Sequence, residues 1–345
     1  MNKSAVITGI GGQDAYYLSS RLLNDGIHVI GTTRNLNRQF EVQEFSGDSN
    51  VTIVEWNLLD QLRFAEIIKR FEPAFVFNLA AKSSGAEMNK HITDVSMVNG
   101  SAVLGMLETL REISPLTRFI QASSAEVFGN ATTSPQTELS CRSPRSAYGI
   151  AKVFADSFVK LYREEFGMLC GSAILYNHES PRRESSFVTR KITSAAAAIF
   201  VGSPERLLLG NLGAMRDWGH ARDYADGMWR IAQADQIEDY IFATGTTHTV
   251  REFVELAFRY VGTTLDWLGD GLNEIGVCRQ TGDIRVAVAE EYFRPLEAEP
   301  LIGNPAKAKD KLGWEPTTPF ESLVSEMIDA DLKKLSVDLT QKKPN

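Results

Sequence analysis

The chain has 345 residues, 43% of them hydrophobic and 23% charged, proportions that fit about two globular domains and exclude a disordered chain. Its 36 Lys and Arg against 44 Asp and Glu leave a net charge of −8, which argues against nucleic-acid or anionic-membrane partners. An anionic ligand would need a local cluster of Arg and Lys. Cys141, Cys170 and Cys278 lie far apart with no metal-ligand spacing, so no metal site is expected and a reducing, cytoplasmic setting is. Met1-Asn2-Lys3-Ser4 runs straight into a strand-like segment, so no secretory leader is expected. No apolar run approaches the ~18–20 residues of a membrane helix.

In chain order, strands are predicted at 4–8, 28–33, 51–56, 74–80, 118–123 and 169–176, with helices at 14–24, 62–71, 95–113 and 147–166 between them. The strands are continuous apolar runs, the pattern of parallel strands covered on both faces. Their alternation with helices predicts an α/β fold: a Rossmann-type doubly wound parallel sheet with right-handed crossovers. After Asn177 the pattern becomes irregular, with turns at Ser180-Pro181, Gly202-Ser203-Pro204 and Leu209-Gly210-Asn211. A strand at 240–244 is predicted to rejoin the sheet, and a helix at 320–335 followed by a fraying polar tail closes the chain. This texture divides the chain into a first, Rossmann-type domain, residues 1–176 plus 219–247, and a smaller C-terminal α/β domain, residues 177–218 plus 248–345.

Gly9-Ile10-Gly11-Gly12-Gln13-Asp14-Ala15 follows the first strand and opens the first helix. Glycines there permit a tight turn and let the backbone approach a pyrophosphate, which the helix N-terminus attracts. The spacing is G-x-x-G-x-x-A, so the strand–turn–helix context carries the inference more than the motif does. The second strand ends in Thr32-Thr33-Arg34, without the carboxylate that would hold the ribose 2′-hydroxyl of NAD. A cation beside two hydroxyls suits a 2′-phosphate, so the expected cofactor is NADP.

Tyr148 and Lys152 stand four residues apart at the start of a helix and share a face. A free phenol, with a pKa of about 10, is a poor base at neutral pH, and the neighbouring ammonium together with an oxidised nicotinamide is expected to lower it. Ser124 lies at the carboxyl edge of the 118–123 strand, where it can share a substrate proton with Tyr148. Glu126, two residues on, can abstract a carbon-bound proton. Each also has a plain alternative: a core tyrosine, a serine capping its own turn, a carboxylate at a helix start.

Together these residues resemble the extended short-chain dehydrogenase/reductases. Asn177-His178-Glu179-Ser180-Pro181-Arg182-Arg183 and Phe187-Val188-Thr189-Arg190-Lys191-Ile192-Thr193, with segments 121–126, 216–221, 292–295 and 311–314, are similar to the GDP-mannose 4,6-dehydratases. The resemblance implies a lyase of deoxysugar biosynthesis. Tyr148, with Ser124, takes the O4 proton while C4 gives a hydride to NADP. Glu126 then removes the C5 proton and protonates the departing C6 hydroxyl, and the hydride returns to C6. GDP-mannose becomes GDP-4-keto-6-deoxymannose and the cofactor is restored. Ala125, where dTDP-glucose dehydratases carry an acid, points to the GDP-sugar branch.

The resemblance further implies cofactor contacts at Gly9, Ile10, Gly11, Gly12, Gln13, Asp14, Arg34, Asn57, Leu58, Leu79, Ala80, Ala81, Ser83, Tyr148, Lys152, His178 and Arg183. Substrate contacts are implied at Ser84, Asn177, Arg190, Lys191, Arg216 and Arg294, the guanidinium forks suiting a diphosphate. Helices 95–113 and 147–166 resemble the pair through which the family dimerises, so a homodimer or homotetramer is expected. The chain departs from the family pattern at Ser124, Asn57 and Asp94, in a shortened 35–50 stretch, and over 84–90 near the sugar. Another GDP-hexose or GDP-heptose, a nucleotide-sugar epimerase, and a protein that only senses NADP therefore stand as alternatives.

Overall fold

The computed structural model describes residues 3–36, 48–83, 91–293 and 299–341. Its first part runs β1 (Ser4–Thr8), α1 (Gln13–Asn24), β2 (His28–Thr33), β3 (Val51–Glu55), α2 (Gln61–Phe71), β4 (Phe75–Asn78), α3 (Ile92–Ser96), a π-helical turn at Met97–Ser101, α4 (Ala102–Ile113), β5 (Arg118–Ala122), α5 (Ala147–Phe166) and β6 (Cys170–Leu175). There follow β7 (Asn177–Glu179), α6 (Val188–Phe200), β8 (Leu207–Leu209), β9 (Met215–Arg216), β10 (Trp218–His220), α7 (Ala221–Gln233), β11 (Tyr240–Phe242), β12 (His248–Thr249) and α8 (Val250–Tyr260). The chain ends with β13 (Leu265–Leu268), β14 (Ile275–Cys278), β15 (Ile284–Val288), α9 (Ala306–Leu312) and α10 (Phe320–Gln341).

Among the described residues, seven strands form one sheet in the order β11-β6-β5-β4-β1-β2-β3, every neighbouring pair parallel. The chain direction across the sheet reverses between β1 and β4, and ligands of such sheets bind outside the carboxyl ends of the strands at that point. Successive strand residues serve opposite faces. Ala5, Ile7, Phe77 and Ile120 pack with Leu18 and Leu22 of α1 and with Met228 and Trp229 of α7. Val6, Ile30, Val76 and Phe119 pack with Phe64 of α2, Met106 of α4 and Val159 of α5. Both faces are dry, which is why the strands read as unbroken apolar runs. A second sheet, β13-β14-β15-β8, backs a separate apolar cluster that includes Ile192 of α6, Phe253 of α8 and Met327 of α10.

Three predicted elements differ from the structure. The helix at 95–113 starts at Ile92 and is interrupted by the π-helical turn. That wider turn carries buried Asn99, whose Oδ1 accepts from Lys82 N–H at 2.9 Å and whose Nδ2 donates to Lys82 O at 3.0 Å. The stretch after Asn177 is not irregular: α6, α7 and α8 lie between its turns. Their 3.6-residue periodicity is broken up in the sequence by Pro and Gly punctuation, although α8 opens on a full Thr249/Glu252 capping box. The last helix continues to Gln341 instead of stopping at 335.

Candidate active site

At the switch point the chain leaves β1 through Gly9, whose φ is +70°. A Cβ there would lie 3.1 Å from both Cα and Cβ of Ala80, so glycine lets the turn pass close to the end of β4. Gly12 N–H donates to Gly9 O at 2.9 Å. Gly12 is also the N-cap of α1 and offers no side-chain acceptor, so the first-turn N–H groups are left for an anion. This cradle, from Gly9 and Ile10 through Gly11 and Gly12 to Gln13, fits a pyrophosphate.

The strand ends beneath the cradle are tied by buried polar groups. Thr8 Oγ1 accepts from Leu79 and Ala80 N–H at 2.9 and 2.8 Å and donates to Asn78 Oδ1 at 2.8 Å. Asn78 Nδ2 donates to Gln121 Oε1 at 2.8 Å, and Gln121 Nε2 to Ala122 O at 2.7 Å. Arg34 is exposed just beyond β2. Asn57 Oδ1 accepts from Leu59 N–H at 3.2 Å and Leu58 is buried. Ala81 is half-buried and Ser83 exposed at the end of the same described segment.

The proton-handling residues meet one strand further along. Ser146 caps α5, its Oγ accepting from Gly149 N–H at 3.0 Å, which sets Tyr148 in the first turn. Lys152 Nζ lies 5.6 Å from the Tyr148 ring centroid and donates to Ala122 O at 2.6 Å. Ser124 caps a one-turn 3₁₀ helix, Ala125–Val127, accepting from Glu126 N–H at 3.2 Å. Ser124 and Glu126 both act on the Tyr148 phenol, the first by a hydrogen bond and the second by its charge.

Burial dominates the electrostatics here. It drives the Tyr148 phenol well above its ordinary pKa, while the Ser124 hydrogen bond opposes this and the Glu126 charge adds to it. It also pushes the Lys152 ammonium down to about 8, against the opposing pull of Asp156 and Asp14. In the chain alone, burial thus works against the lowering expected of the ammonium and an oxidised nicotinamide together. Among the groups acting on the phenol, Arg183 also opposes the rise and Asp14 adds to it.

The segment after β6 closes over the cradle. His178 Nε2 lies 3.0 Å from Asp14 Oδ1, and Gln13 Nε2 donates to His178 O at 3.0 Å. Burial opposes both charges, yet His178 holds Asp14 below the ordinary carboxyl value and Asp14 holds His178 above the ordinary imidazole value. Arg183 Nε reaches Glu179 Oε2 at 3.1 Å. Asn177 is exposed in β7. Lys191 Nζ lies 4.0 Å from the Tyr292 ring centroid, and Arg216 Nη1 donates to Met215 O at 2.7 Å. Arg190 pairs instead with Asp331 of α10 at 2.7 Å. Ser84 and Arg294 lie outside the described residues, as do most of 35–50 and all of 84–90.

Sequence reasoning passed over Asp331 and buried Asp156. Only Asp156 carried a signal, standing four residues after Lys152 on the same helical face.

Among the described residues no helix is long and apolar enough to cross a membrane. A family model described as GDP-mannose 4,6 dehydratase matches residues 6–327. The GDP-mannose 4,6 dehydratase of Cricetulus griseus is 39% identical over 354 residues, covering 99% of this chain and 94% of its own. The GDP-mannose 4,6-dehydratase of Sinorhizobium fredii is 41% identical over 343 residues, covering 96% and 97%. Two solved structures share the fold. UDP-glucose 4-epimerase of Thermotoga maritima has TM-score 0.82 at 21% identity, covering 96% of this chain and 99% of its own. dTDP-glucose 4,6-dehydratase of Bacillus anthracis has TM-score 0.81 at 18% identity, covering 97% and 98%. A match over nearly the whole chain, on a fold whose switch point is built for a dinucleotide, places this chain in the GDP-mannose 4,6-dehydratase family.

Proposed function

We propose that this chain converts GDP-mannose to GDP-4-keto-6-deoxymannose using bound NADP. The observation that carries the proposal is the meeting of Ser124, Glu126, Tyr148 and Lys152 beyond the carboxyl end of β5, in a member of this family. Bound NADP would supply the hydride acceptor at C4 and the hydride donor at C6 of the hexose. Tyr148, hydrogen-bonded to Ser124, takes the proton from O4, and Lys152 supplies the positive charge that favours the phenolate. The resulting 4-keto group acidifies C5–H. Glu126 removes that proton and delivers it to the C6 oxygen, so water leaves; C5 is later reprotonated from solvent.

The cofactor residues are assigned as the glycine turn Gly9 to Gln13, Asp14, Arg34, Asn57, Leu58, Leu79 to Ala81, Ser83, His178 and Arg183. Asn177, Lys191 and Arg216 are assigned to the sugar nucleotide, with Arg190 beside them; Ser84 and Arg294 are assigned by family position alone. Residues 1–176 with 219–247 would hold NADP, and 177–218 with 248–345 the sugar nucleotide. The separate cluster around Ile192, Phe253 and Met327 supports that division. A homodimer is proposed through α4 and α5, since Ile150, Phe154 and Leu161 leave an exposed apolar stripe on α5. Three free cysteines suit a reducing, cytoplasmic setting.

Incubation with GDP-mannose in deuterated water, followed by NMR, tests the reading. The expected product has lost its C6 hydroxyl and carries deuterium at C5. Unchanged GDP-mannose alongside turnover of another GDP-sugar would move the specificity and keep the mechanism.

A further inference from the structure

Asp156 is a buried carboxylate that the mechanism above does not use. It lies on α5, one turn beyond Lys152 and two beyond Tyr148, on the same face. Its Oδ2 accepts from Ser123 Oγ at 2.5 Å, and its Oδ1 accepts from Ser172 Oγ at 2.8 Å. Ser123 immediately precedes Ser124, and its N–H donates to Ala173 O of β6 at 2.8 Å. The carboxylate therefore joins α5 to the strand end that presents Ser124 and to the neighbouring strand.

Lys152 is 2% exposed and makes its hydrogen bond to a neutral acceptor, Ala122 O. A buried ammonium with only a carbonyl partner loses its proton readily, because water no longer solvates the charge. The acidic groups that act on it are Asp156 and, more weakly, Asp14. Asp156 in turn feels Asp239, which opposes its ionisation, and Arg142, which favours it. Asp239 is already paired with Arg163 at 2.8 Å, and Asp14 with His178. Burial pushes Asp156 up to about 6 despite its two serine donors, and pushes Lys152 down to about 8 against the pull of Asp156.

We propose that Asp156 is a positioning residue for proton transfer: its buried carboxylate keeps the Lys152 ammonium charged beside Tyr148, and its clamp on Ser123 fixes the strand end that carries Ser124. The kinetic part of this rests on the proposed dehydratase reaction. The electrostatic part does not, because it concerns the charge of Lys152 in the chain itself.

The test is the titration of the Lys152 side chain by carbon-13 NMR of labelled lysine, assigned by the signal lost in Lys152→Arg. In the wild-type chain the Lys152 Cε resonance should inflect twice, once as Asp156 ionises and once as Lys152 deprotonates. In Asp156→Asn the first inflection should vanish and the second fall by about one pH unit or more. With GDP-mannose, the alkaline limb of kcat should move down by the same shift while KM stays within about twofold, a split that general loosening of the fold would not produce. An Asp156→Asn chain whose Lys152 titrates as in wild type overturns the proposal. If that variant does not fold, a wild-type Lys152 curve with no inflection at the ionisation of Asp156 overturns it equally. Failure of GDP-mannose to react would sink the proposed substrate and leave the NMR result to decide this point.

Discussion

Gly149 stands directly against the backbone of Glu126: a Cβ at 149 would lie 2.6 Å from the Glu126 carbonyl oxygen and 3.0 Å from Pro144 Cβ. The first turn of α5, with Tyr148, thereby docks onto the one-turn helix that carries the proposed acid–base residue. This contact is expected to set the spacing between phenol and carboxylate. Gly149→Ala should force the two elements apart, costing about 1–3 kcal/mol by overpacking. A lowered melting temperature together with a reduced kcat is expected; an unchanged kcat would show that the contact does not set the site's geometry.

Tyr148→Phe keeps the ring and the packing of α5 and removes only the hydroxyl. Steady-state turnover of GDP-mannose should fall by roughly 10²–10⁴-fold, with NADP binding retained. Turnover within a few-fold of wild type would assign the O4 proton to another group.

Glu126→Gln separates the two halves of the reaction. The amide cannot take the C5 proton, so the variant should bind NADP and GDP-mannose but form no 4-keto-6-deoxy product. Deuterium appearing at C5 at the wild-type rate would remove Glu126 from the mechanism.

Asp14 and His178 form a clasp between α1 and β7, and its contribution to stability depends on pH. The His178 pKa is raised above its ordinary 6.5, so its share is fully present below 6.5 and lost as pH rises through the raised value. The Asp14 pKa is lowered from 3.8, so its share is present above 3.8 and lost as pH falls through the lowered value. The clasp thus stabilises most between pH 3.8 and 6.5. The melting-temperature gap between wild type and Asp14→Asn should be widest in that window and shrink toward alkaline pH. A gap that stays the same from that window into alkaline pH would mean that the pair is not ionic.

Arg34 tests cofactor choice. Arg34→Ala should weaken NADP by about tenfold or more, the loss of one charge-assisted contact to a 2′-phosphate, and leave NAD affinity nearly unchanged. Calorimetric titration of both nucleotides reads this directly, and equal loss for the two would place Arg34 away from the ribose.

Much of the fold was legible because its signals are local. The apolar runs of β1 to β6 announce parallel strands, since both sheet faces are dry. The helix at Ala147–Phe166 matches its predicted range, and the structure shows it capped by Ser146 and ended by a left-handed Gly167. The Gly9 turn and the four-residue spacing of Tyr148 and Lys152 are likewise local. The helices after Asn177 were less visible, because each is short and set between turns.

Sequence by itself determined the doubly wound sheet and which residue types could carry the chemistry, since these follow from patterns along the chain, and it carried the family through resemblance. Tertiary structure alone decided that His178 meets Asp14 across 164 positions, that Arg190 is matched by Asp331, and that burial raises the Tyr148 phenol. Desolvation and charge pairing depend on what packs around a group, and for these residues the neighbours that matter come from distant parts of the chain.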